Sequence, residues 1–253
     1  MREGRKSLVL FLTAGFPSLE STEEIIAAVD EAGADVLELG VPFSDPLADG
    51  PTIQAASGEA LKAGTTLAKI LDLVARVRRR SRIPILLFGA YNPFLHYGLD
   101  ALASRAVEVG VDGFLVPDLP CEESADFERI CRGAGLCLVY LAAPTTPPER
   151  MRMIAEHSTG FLYYVSLKGV TGVEITISPE LREHVSTLRR LASPLPVAVG
   201  FGVQTPDHVA QLAAICDGVV VGSALIRLID RHKNQPDLLE RVGAFTRSLK
   251  AAL

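Results

Sequence analysis

Short apolar runs alternate along the chain with amphipathic segments, and most boundaries between them carry Gly, Pro or Asp. Apolar runs between turn residues predict buried strands, and the longer amphipathic segments predict helices. The predicted strands cover residues 8–13, 35–40, 83–89, 112–117, 136–141, 160–166, 196–200 and 217–222. The predicted helices cover residues 21–32, 66–80, 99–109, 122–133, 147–157, 179–191 and 206–214. The first of these helices opens with Ser21 and Glu24, the spacing of a capping box.

The predicted strands are almost continuously apolar, which is typical of a parallel sheet covered by helices. Eight units with helical crossovers favour a closed (β/α)8 TIM barrel of the α/β class. Residues 32–37, 109–114 and 215–220 support a repeat, because each segment places a small turn and an Asp before a strand. A doubly wound open sheet is the alternative, but no GxGxxG motif follows the first strand.

Composition sets the class of protein and limits its partners. The chain has 253 residues, 48% hydrophobic and 22% charged, which suits one barrel domain over residues 1–253. Its 25 basic and 30 acidic side chains give a net charge of −5, which argues against a nucleic-acid or anionic-membrane surface. No apolar run approaches the ~20 residues of a membrane helix. The apolar run after residues 1–6 imitates a secretory signal but is needed as the first strand, so we expect a cytoplasmic protein.

The metal-binding residue types show no ligand spacing. Cys121, Cys131, Cys137 and Cys216 form no CxxC pair and lie in or beside apolar segments, as buried structural thiols do. None of the five histidines falls at a predicted strand end with a partner in ligand spacing. We therefore expect no metal site.

The second predicted strand contains one carboxylate. Strand alternation places Glu38 on the same face as Val36 and Gly40. If that face points into the barrel, burial raises the pKa of the carboxyl group towards neutrality, as a group that gives and takes protons requires. A structural Glu paired with Lys or Arg is the alternative from the strand alone.

The loop that follows, residues 42–51, carries Asp45 and Asp49 among Pro and Gly residues. A solvated turn with Asp caps is one interpretation. Proximity to Glu38 favours a catalytic Asp, since two carboxylates in different environments can divide the acid and base roles.

Small residues end the last three units. Residues 169–172 follow the sixth predicted strand, residues 200–202 follow the seventh, and Gly222 and Ser223 join the eighth to a helix. These segments offer backbone N–H groups on neighbouring loops and a helix N-terminus, the usual phosphate site of a barrel. Because backbone dipoles can hold the anion, an acidic chain can still bind a phosphate-bearing ligand.

The string LELGVPFSDPLADGP at residues 37–51 resembles the signature of the tryptophan synthase alpha chain family. Other segments of that family are matched, in the same order, by residues 12–17, 116–120, 169–172, 200–202 and 222–224. The likeness covers essentially the whole chain. It implies a TIM-barrel lyase that cleaves indole-3-glycerol phosphate to indole and D-glyceraldehyde 3-phosphate in tryptophan biosynthesis, without a metal or organic cofactor on this chain.

The resemblance also implies roles for individual residues. Glu38 matches the family's acid/base carboxylate and Asp49 the carboxylate at the indole N–H, whereas Asp45 is not a matching catalytic position. Thr171 is implied to hydrogen-bond Asp49 when the loops close, and Tyr163 to lie beside the substrate chain. The residues implied to hold the phosphate are Gly172, Gly202, Gly222 and Ser223. Those implied to line the indole pocket are Phe11, Ile53, Phe88, Leu115, Leu141 and Phe201, with plain barrel core as the alternative for each.

Family members associate with a beta chain, usually as an alpha2beta2 heterotetramer, and indole passes between the sites. The resemblance implies pyridoxal phosphate on the beta chain only, and a contact surface that includes residues 42–50, the region of Asn92, and Pro120. Two alternatives remain: a stand-alone indole-releasing lyase and a non-catalytic activator of the beta chain. The presence of both Glu38 and Asp49 argues against the activator.

Overall fold

A computed structural model describes residues 5–46, 49–165, 177–200 and 202–253. Its strands are β1 (Ser7–Thr13), β2 (Val36–Gly40), β3 (Ile85–Phe88), β4 (Gly113–Leu115), β5 (Cys137–Val139), β6 (Leu141–Ala142), β7 (Leu162–Val165), β8 (Val197–Gly200) and β9 (Gly218–Val221). Its helices are α1 (Leu19–Glu31), α2 (Pro51–Lys62), α3 (Leu67–Val77), α4 (Tyr91–Tyr97), α5 (Leu99–Val109), α6 (Ala125–Ala134), α7 (Pro148–His157), α8 (Pro179–Ala192), α9 (Pro206–Ala213), α10 (Ser223–His232) and α11 (Leu238–Lys250). A 3-10 turn at Cys121–Glu123 precedes α6.

The strands of the described ranges form one parallel sheet in the order β5-β4-β3-β2-β1-β9-β8-β7-β6. The two strands at the ends of this order, β5 and β6, are consecutive in the chain and are separated only by Tyr140. The Tyr140 carbonyl accepts a hydrogen bond from the Tyr163 N–H at 3.1 Å. The sheet therefore closes into a barrel, which confirms the predicted fold class. The predicted fifth strand at residues 136–141 is present as two short pieces rather than one. That residues 1–253 form a single domain stays a prediction.

The strands are apolar at nearly every position because both of their faces are buried. In β1, Leu8, Leu10 and Leu12 belong to the large core between the sheet and the helices. Val9 points the other way and belongs to a separate core inside the barrel. Two cores on opposite faces of one sheet thus explain the continuous runs.

All seven predicted helices are present, with ends within three residues of the predicted ends. The predicted capping box of α1 is wrong. The N-cap is Ser18, whose hydroxyl accepts a hydrogen bond from the Ser21 N–H at 3.0 Å. Because α1 begins at Leu19, Glu24 is its sixth residue and lies beyond the N3 position of a capping box; its carboxylate pairs with Arg80 at 2.7 Å instead. Among the described helices, none combines the length and the apolar character that a bilayer span requires.

The Asp that recurs before a strand forms two hydrogen bonds with a residue of an earlier strand, at the amino-terminal end of the barrel. Each such pair of hydrogen bonds is a link between the two segments. The Asp35 carboxylate accepts a hydrogen bond from the Leu8 N–H at 2.7 Å, and the Asp35 N–H donates to the Leu8 carbonyl at 2.9 Å. This pair of bonds joins the start of β1 to the residue that precedes β2. The same pair of bonds, with side-chain acceptor distances of 2.7 to 3.0 Å, joins Asp112 to Ile85, Thr159 to Leu138 and Asp217 to Val197.

Basic side chains neutralise the three linking aspartates. Lys250 contacts Asp35, Arg78 contacts Asp112 at 2.8 Å, and Arg189 contacts Asp217 at 2.7 Å. Arg78 also donates to the Gly110 and Ile83 carbonyls at 2.8 and 2.6 Å. Each linking aspartate therefore accepts a hydrogen bond from a backbone N–H and also forms an ion pair with a basic side chain.

We predict that Asp112→Ala destabilises the fold by roughly 1 to 3 kcal/mol, because the Ile85 N–H loses its acceptor and Arg78 loses its partner. Urea unfolding measures the loss. Asp126→Ala is the matched control, since that side chain is 89% exposed and its ion pair with Arg129 spans 3.6 Å. Equal effects of the two substitutions would contradict the structural role of the link.

Candidate active site

The inner face of the barrel is an apolar surface interrupted by a few polar side chains. Its core consists of Val9, Val36, Leu86, Leu115, Val139, Phe161, Tyr163, Ala198 and Val220. Because side chains alternate along a strand, Val36 in this core places Glu38 on the same inner face. The site lies toward the carboxyl ends of the strands, where TIM barrels carry their chemistry.

Glu38 is fully buried, and none of the described residues offers a hydrogen-bond partner to either of its carboxylate oxygens. Its register neighbours are Phe11 in β1 and Leu86 in β3, neither of which offers a polar atom from its side chain. Burial alone raises the pKa of this carboxyl group to about 8. Within the described part of the chain Glu38 is therefore not paired with Lys or Arg, the structural alternative, and the group is mostly protonated at neutral pH.

Tyr163 lies on the inner face of β7, opposite Leu141 on one side and Ala198 on the other. Burial raises the pKa of its phenol well above the usual range, and the charge of Glu38 raises it further. The phenol oxygen occupies the space beside Gly200, where an added Cβ would lie 1.9 Å away. Glycine at this position therefore makes room for the phenol next to the predicted phosphate loops.

The predicted indole-pocket residues of the inner face lie together. The rings of Phe11 and Phe88 meet edge to face with centroids 5.4 Å apart, and the Phe11 ring fills the space beside Gly40. Phe88 and Leu141 pack against the inner core that contains Leu115 and Tyr163. Ile53 lies separately in the first turn of α2, half-buried against the core that includes Phe11.

Asp49 precedes Gly50, the N-cap of α2, and is half-buried. Its N–H donates to the Pro46 carbonyl at 3.1 Å, and its carbonyl accepts from the Gln54 side chain at 2.8 Å. Burial raises the pKa of the Asp49 carboxyl group to about 6. The two carboxyl groups of the site thus differ in proton affinity, which lets one be protonated while the other is ionised.

The predicted phosphate residues are described only in part. Gly222 is the N-cap of α10 and forms no side-chain hydrogen bond with the helix end. The first backbone N–H groups of this helix, beginning at Ser223, therefore receive no hydrogen bond from their N-cap residue. Gly202 is exposed with φ +54°, a conformation that favours glycine. Thr171, Gly172 and Phe201 lie outside the described residues.

Within the described ranges, no group of three or more His, Cys, Asp or Glu side chains is arranged to hold a metal ion. The four cysteines are free thiols, three of them buried. Burial raises the pKa of the Cys131 thiol to about 12 and those of Cys121 and Cys216 to about 11. These thiols are therefore poor nucleophiles.

Thr13 is a polar residue of the inner face that the sequence analysis did not single out. It ends β1, is 1% exposed, and its hydroxyl finds no hydrogen-bond partner among the residues that the structure describes. The available signal was the one that marked Glu38: a polar residue at an inward position of an apolar strand.

Comparison with known proteins places this geometry in context. The family model described as "Tryptophan synthase alpha chain" matches residues 1–253. The chain is 49% identical over 249 residues to the tryptophan synthase alpha chain of Geobacter sulfurreducens, covering 98% of this chain and 94% of that protein. The solved alpha subunit from Legionella pneumophila is 41% identical with a TM-score of 0.89, covering 98% of this chain and 92% of that one. A tryptophan synthase complex from Pyrococcus furiosus contains a chain that is 39% identical with a TM-score of 0.88, covering 98% and 99%.

We predict that Glu38→Gln stabilises the fold increasingly as pH rises from about 4.5 to about 8. The folded-state pKa is raised above the unfolded value, so over this range the unfolded chain releases a proton that the folded chain retains. The wild type should lose roughly 1.4 kcal/mol per pH unit relative to Glu38→Gln over this window, and nothing more above it. Urea unfolding of both proteins across this pH range measures the difference. A difference in unfolding free energy that stays constant with pH would show that folding does not raise the pKa of Glu38.

Proposed function

The chain belongs to the tryptophan synthase alpha chain family, lyases that cleave indole-3-glycerol phosphate to indole and D-glyceraldehyde 3-phosphate, and we propose that Glu38 and Asp49 carry this reaction. The observation that carries the proposal is the buried, unpartnered carboxyl group of Glu38 on the inner face of the barrel. The direct test is to incubate the chain with indole-3-glycerol phosphate and measure release of glyceraldehyde 3-phosphate.

Glu38 supplies the proton transfers. Cleavage of the bond between the indole ring and the glycerol chain needs a proton delivered to the ring carbon and a proton removed from the adjacent hydroxyl. With its pKa raised to about 8, Glu38 is mostly protonated at neutral pH and can deliver the first proton. The carboxylate that remains then accepts the hydroxyl proton as the carbon–carbon bond breaks.

Asp49 acts at the ring nitrogen. Positive charge develops at the indole N–H when the ring carbon is protonated, and an ionised carboxylate stabilises that charge. With a pKa of about 6, Asp49 is mostly ionised at neutral pH, and its partial burial strengthens the interaction. The separation of the two pKa values thus assigns the acid to Glu38 and the anion to Asp49.

The substrate is held from both of its ends. The paired rings of Phe11 and Phe88 offer an edge-to-face surface for an indole ring, near Leu115 and Leu141. The phosphate binds at the N-terminus of α10, beginning at Gly222 and Ser223, where the helix dipole favours an anion. Thr171, Gly172, Gly202 and Phe201 complete the proposed site.

We also propose that a beta chain binds this barrel, as an alpha2beta2 assembly that receives the indole. The related Pyrococcus furiosus structure is a tryptophan synthase complex. Asn92 and Pro120 are brought to one region because the Tyr91 N–H donates to Asp118 at 2.8 Å. Leu95, on the same helix as Asn92, is 52% exposed and adds an apolar contact. In this proposal pyridoxal phosphate stays on the beta chain, and the reaction takes place in the cytoplasm.

We predict that Glu38→Gln lowers kcat for glyceraldehyde 3-phosphate release by at least about 100-fold, because the amide keeps the size of the side chain but cannot transfer protons. KM should change little. Glu108→Gln is the control, since that side chain is 67% exposed on α5. Substantial turnover by Glu38→Gln would contradict the assigned role.

We predict that Asp49→Asn lowers kcat by roughly 10- to 100-fold and removes the loss of activity that the wild type shows as pH falls through about 6. The wild type loses activity there because protonation of Asp49 removes the negative charge. Asp45→Asn, an exposed carboxylate of the same loop, is the matched control and should retain both the rate and the pH dependence. The assay uses the chain alone, so that effects on beta-chain binding do not enter. An unaltered pH profile in Asp49→Asn would refute the role of Asp49.

A further inference from the structure

Two unpartnered polar side chains lie close together on the inner face of the barrel. Among the described residues, the buried side-chain polar atoms without a hydrogen-bond partner belong to Glu38, Thr13, Ser158, Asp237 and Thr246. Ser158 and Asp237 cap helices, and Thr246 lies within α11. Glu38 and Thr13 are thus the members of this set that strands carry into the barrel.

Strand register makes Thr13 and Glu38 diagonal neighbours. Glu38 faces Phe11 across the β1–β2 ladder, and Thr13 faces Gly40. The two residues are therefore one inward position apart on adjacent strands, roughly 8 Å between Cα atoms from the strand rise and spacing. That separation is within reach of a long side chain such as glutamate.

Thr13 is the polar member of an otherwise apolar row. From Thr13 the register row continues around the barrel through Gly40, Phe88, Leu115 and Val139. The Phe11 ring fills the space beside Gly40. On this part of the inner face, the Thr13 hydroxyl is therefore the side-chain donor available to a carboxyl group that moves toward the carboxyl ends of the strands.

We propose that Thr13 is a positioning residue for Glu38, and that its hydroxyl hydrogen-bonds the Glu38 carboxyl group in the conformation that this group adopts while it transfers protons. The inference rests on the proposed function of Glu38. The bond matters most after Glu38 has given its proton to the ring, because a donor stabilises the carboxylate so formed.

Other charges near Glu38 do not offer this stabilisation. Burial is the sole cause of the raised pKa of Glu38, so no cation of the described chain compensates its negative charge. Among the described residues, the Tyr163 phenol on β7 faces Glu38 from another element, and it stays protonated because its own pKa is raised. Two neutral hydroxyls of the described inner face, those of Thr13 on β1 and Tyr163 on β7, can therefore donate to the carboxylate, and Thr13 is the one on the strand paired with that of Glu38.

The test replaces the hydroxyl with a methyl group of nearly the same shape. Thr13→Val should lower kcat by about 10- to 100-fold, the loss expected for one hydrogen bond to a charged group, with KM within about twofold. The titration of Glu38 in the pH profile of kcat should move upward by about one unit, since loss of a donor disfavours the charged form. Thr13→Ser, which keeps the hydroxyl, should restore both the rate and the profile.

Folding and function separate in this experiment. Thr13→Val removes a buried hydroxyl that has no partner, so its thermal midpoint should equal or exceed that of the wild type. Thr246→Val makes the same change at an unpartnered hydroxyl in α11 and should leave both kcat and the pH profile unaltered. Wild-type kcat and pH profile in Thr13→Val, or failure of Thr13→Ser to restore them, would overturn the inference. Activity in Glu38→Gln would instead overturn the proposed function, so the two failures are distinguishable.

Discussion

The desolvation of one carboxyl group governs the chemistry of this barrel. A closed sheet surrounds Glu38 with apolar neighbours, and no residue in the described ranges forms a hydrogen bond with its carboxyl oxygens. An ionised carboxylate in such a place is unfavourable by several kcal/mol. The folded chain therefore keeps the carboxyl proton at pH values well above those at which an exposed glutamate ionises. The same burial that makes Glu38 an unfavourable component of the fold makes it a usable acid at neutral pH. Asp49 is half-buried at the mouth of the barrel, so burial raises its pKa less, and it ionises at a lower pH than Glu38.

The two ends of the barrel divide stability and chemistry between them. At the amino-terminal end, side chains that could be costly to bury are satisfied: each linking aspartate accepts from a backbone N–H and contacts a cation. At the carboxyl end, polar groups are left free, including the Thr13 hydroxyl and the N-terminus of α10. This arrangement leaves unsatisfied polar groups at the end of the barrel where a ligand can bind them.

Sequence patterns predict the strands better than the site. Buried parallel strands are almost continuously apolar, so the runs mark each of the described strands; the run at residues 136–141 contains two of them, β5 and β6, separated by Tyr140. No predicted helix corresponds to α2, α4 or α11, because α2 emerges from a Pro- and Gly-rich loop, α4 is short, and α11 comes after α10, outside the strand-helix repeat. Glu38 is predictable as a polar residue in an apolar strand, whereas Phe11 and Phe88 are assigned by resemblance alone. Thr13 is not predictable in this way, because a hydroxyl at a strand end is common. Its lack of a partner depends on contacts with residues distant in sequence, which no local pattern contains.

The links at the amino-terminal end also bear on how the chain reaches its fold. Their partners are separated by only 20 to 27 residues along the sequence, and each link joins a strand to the turn before a later strand, with one or two helices between them. Such contacts close short loops, so their entropy cost is small and they can form early. A nascent chain can complete each link as soon as the second strand of the pair has left the ribosome. The barrel thus contains four pairs of strands joined by local links, and contacts between two such pairs can form once both have been synthesised.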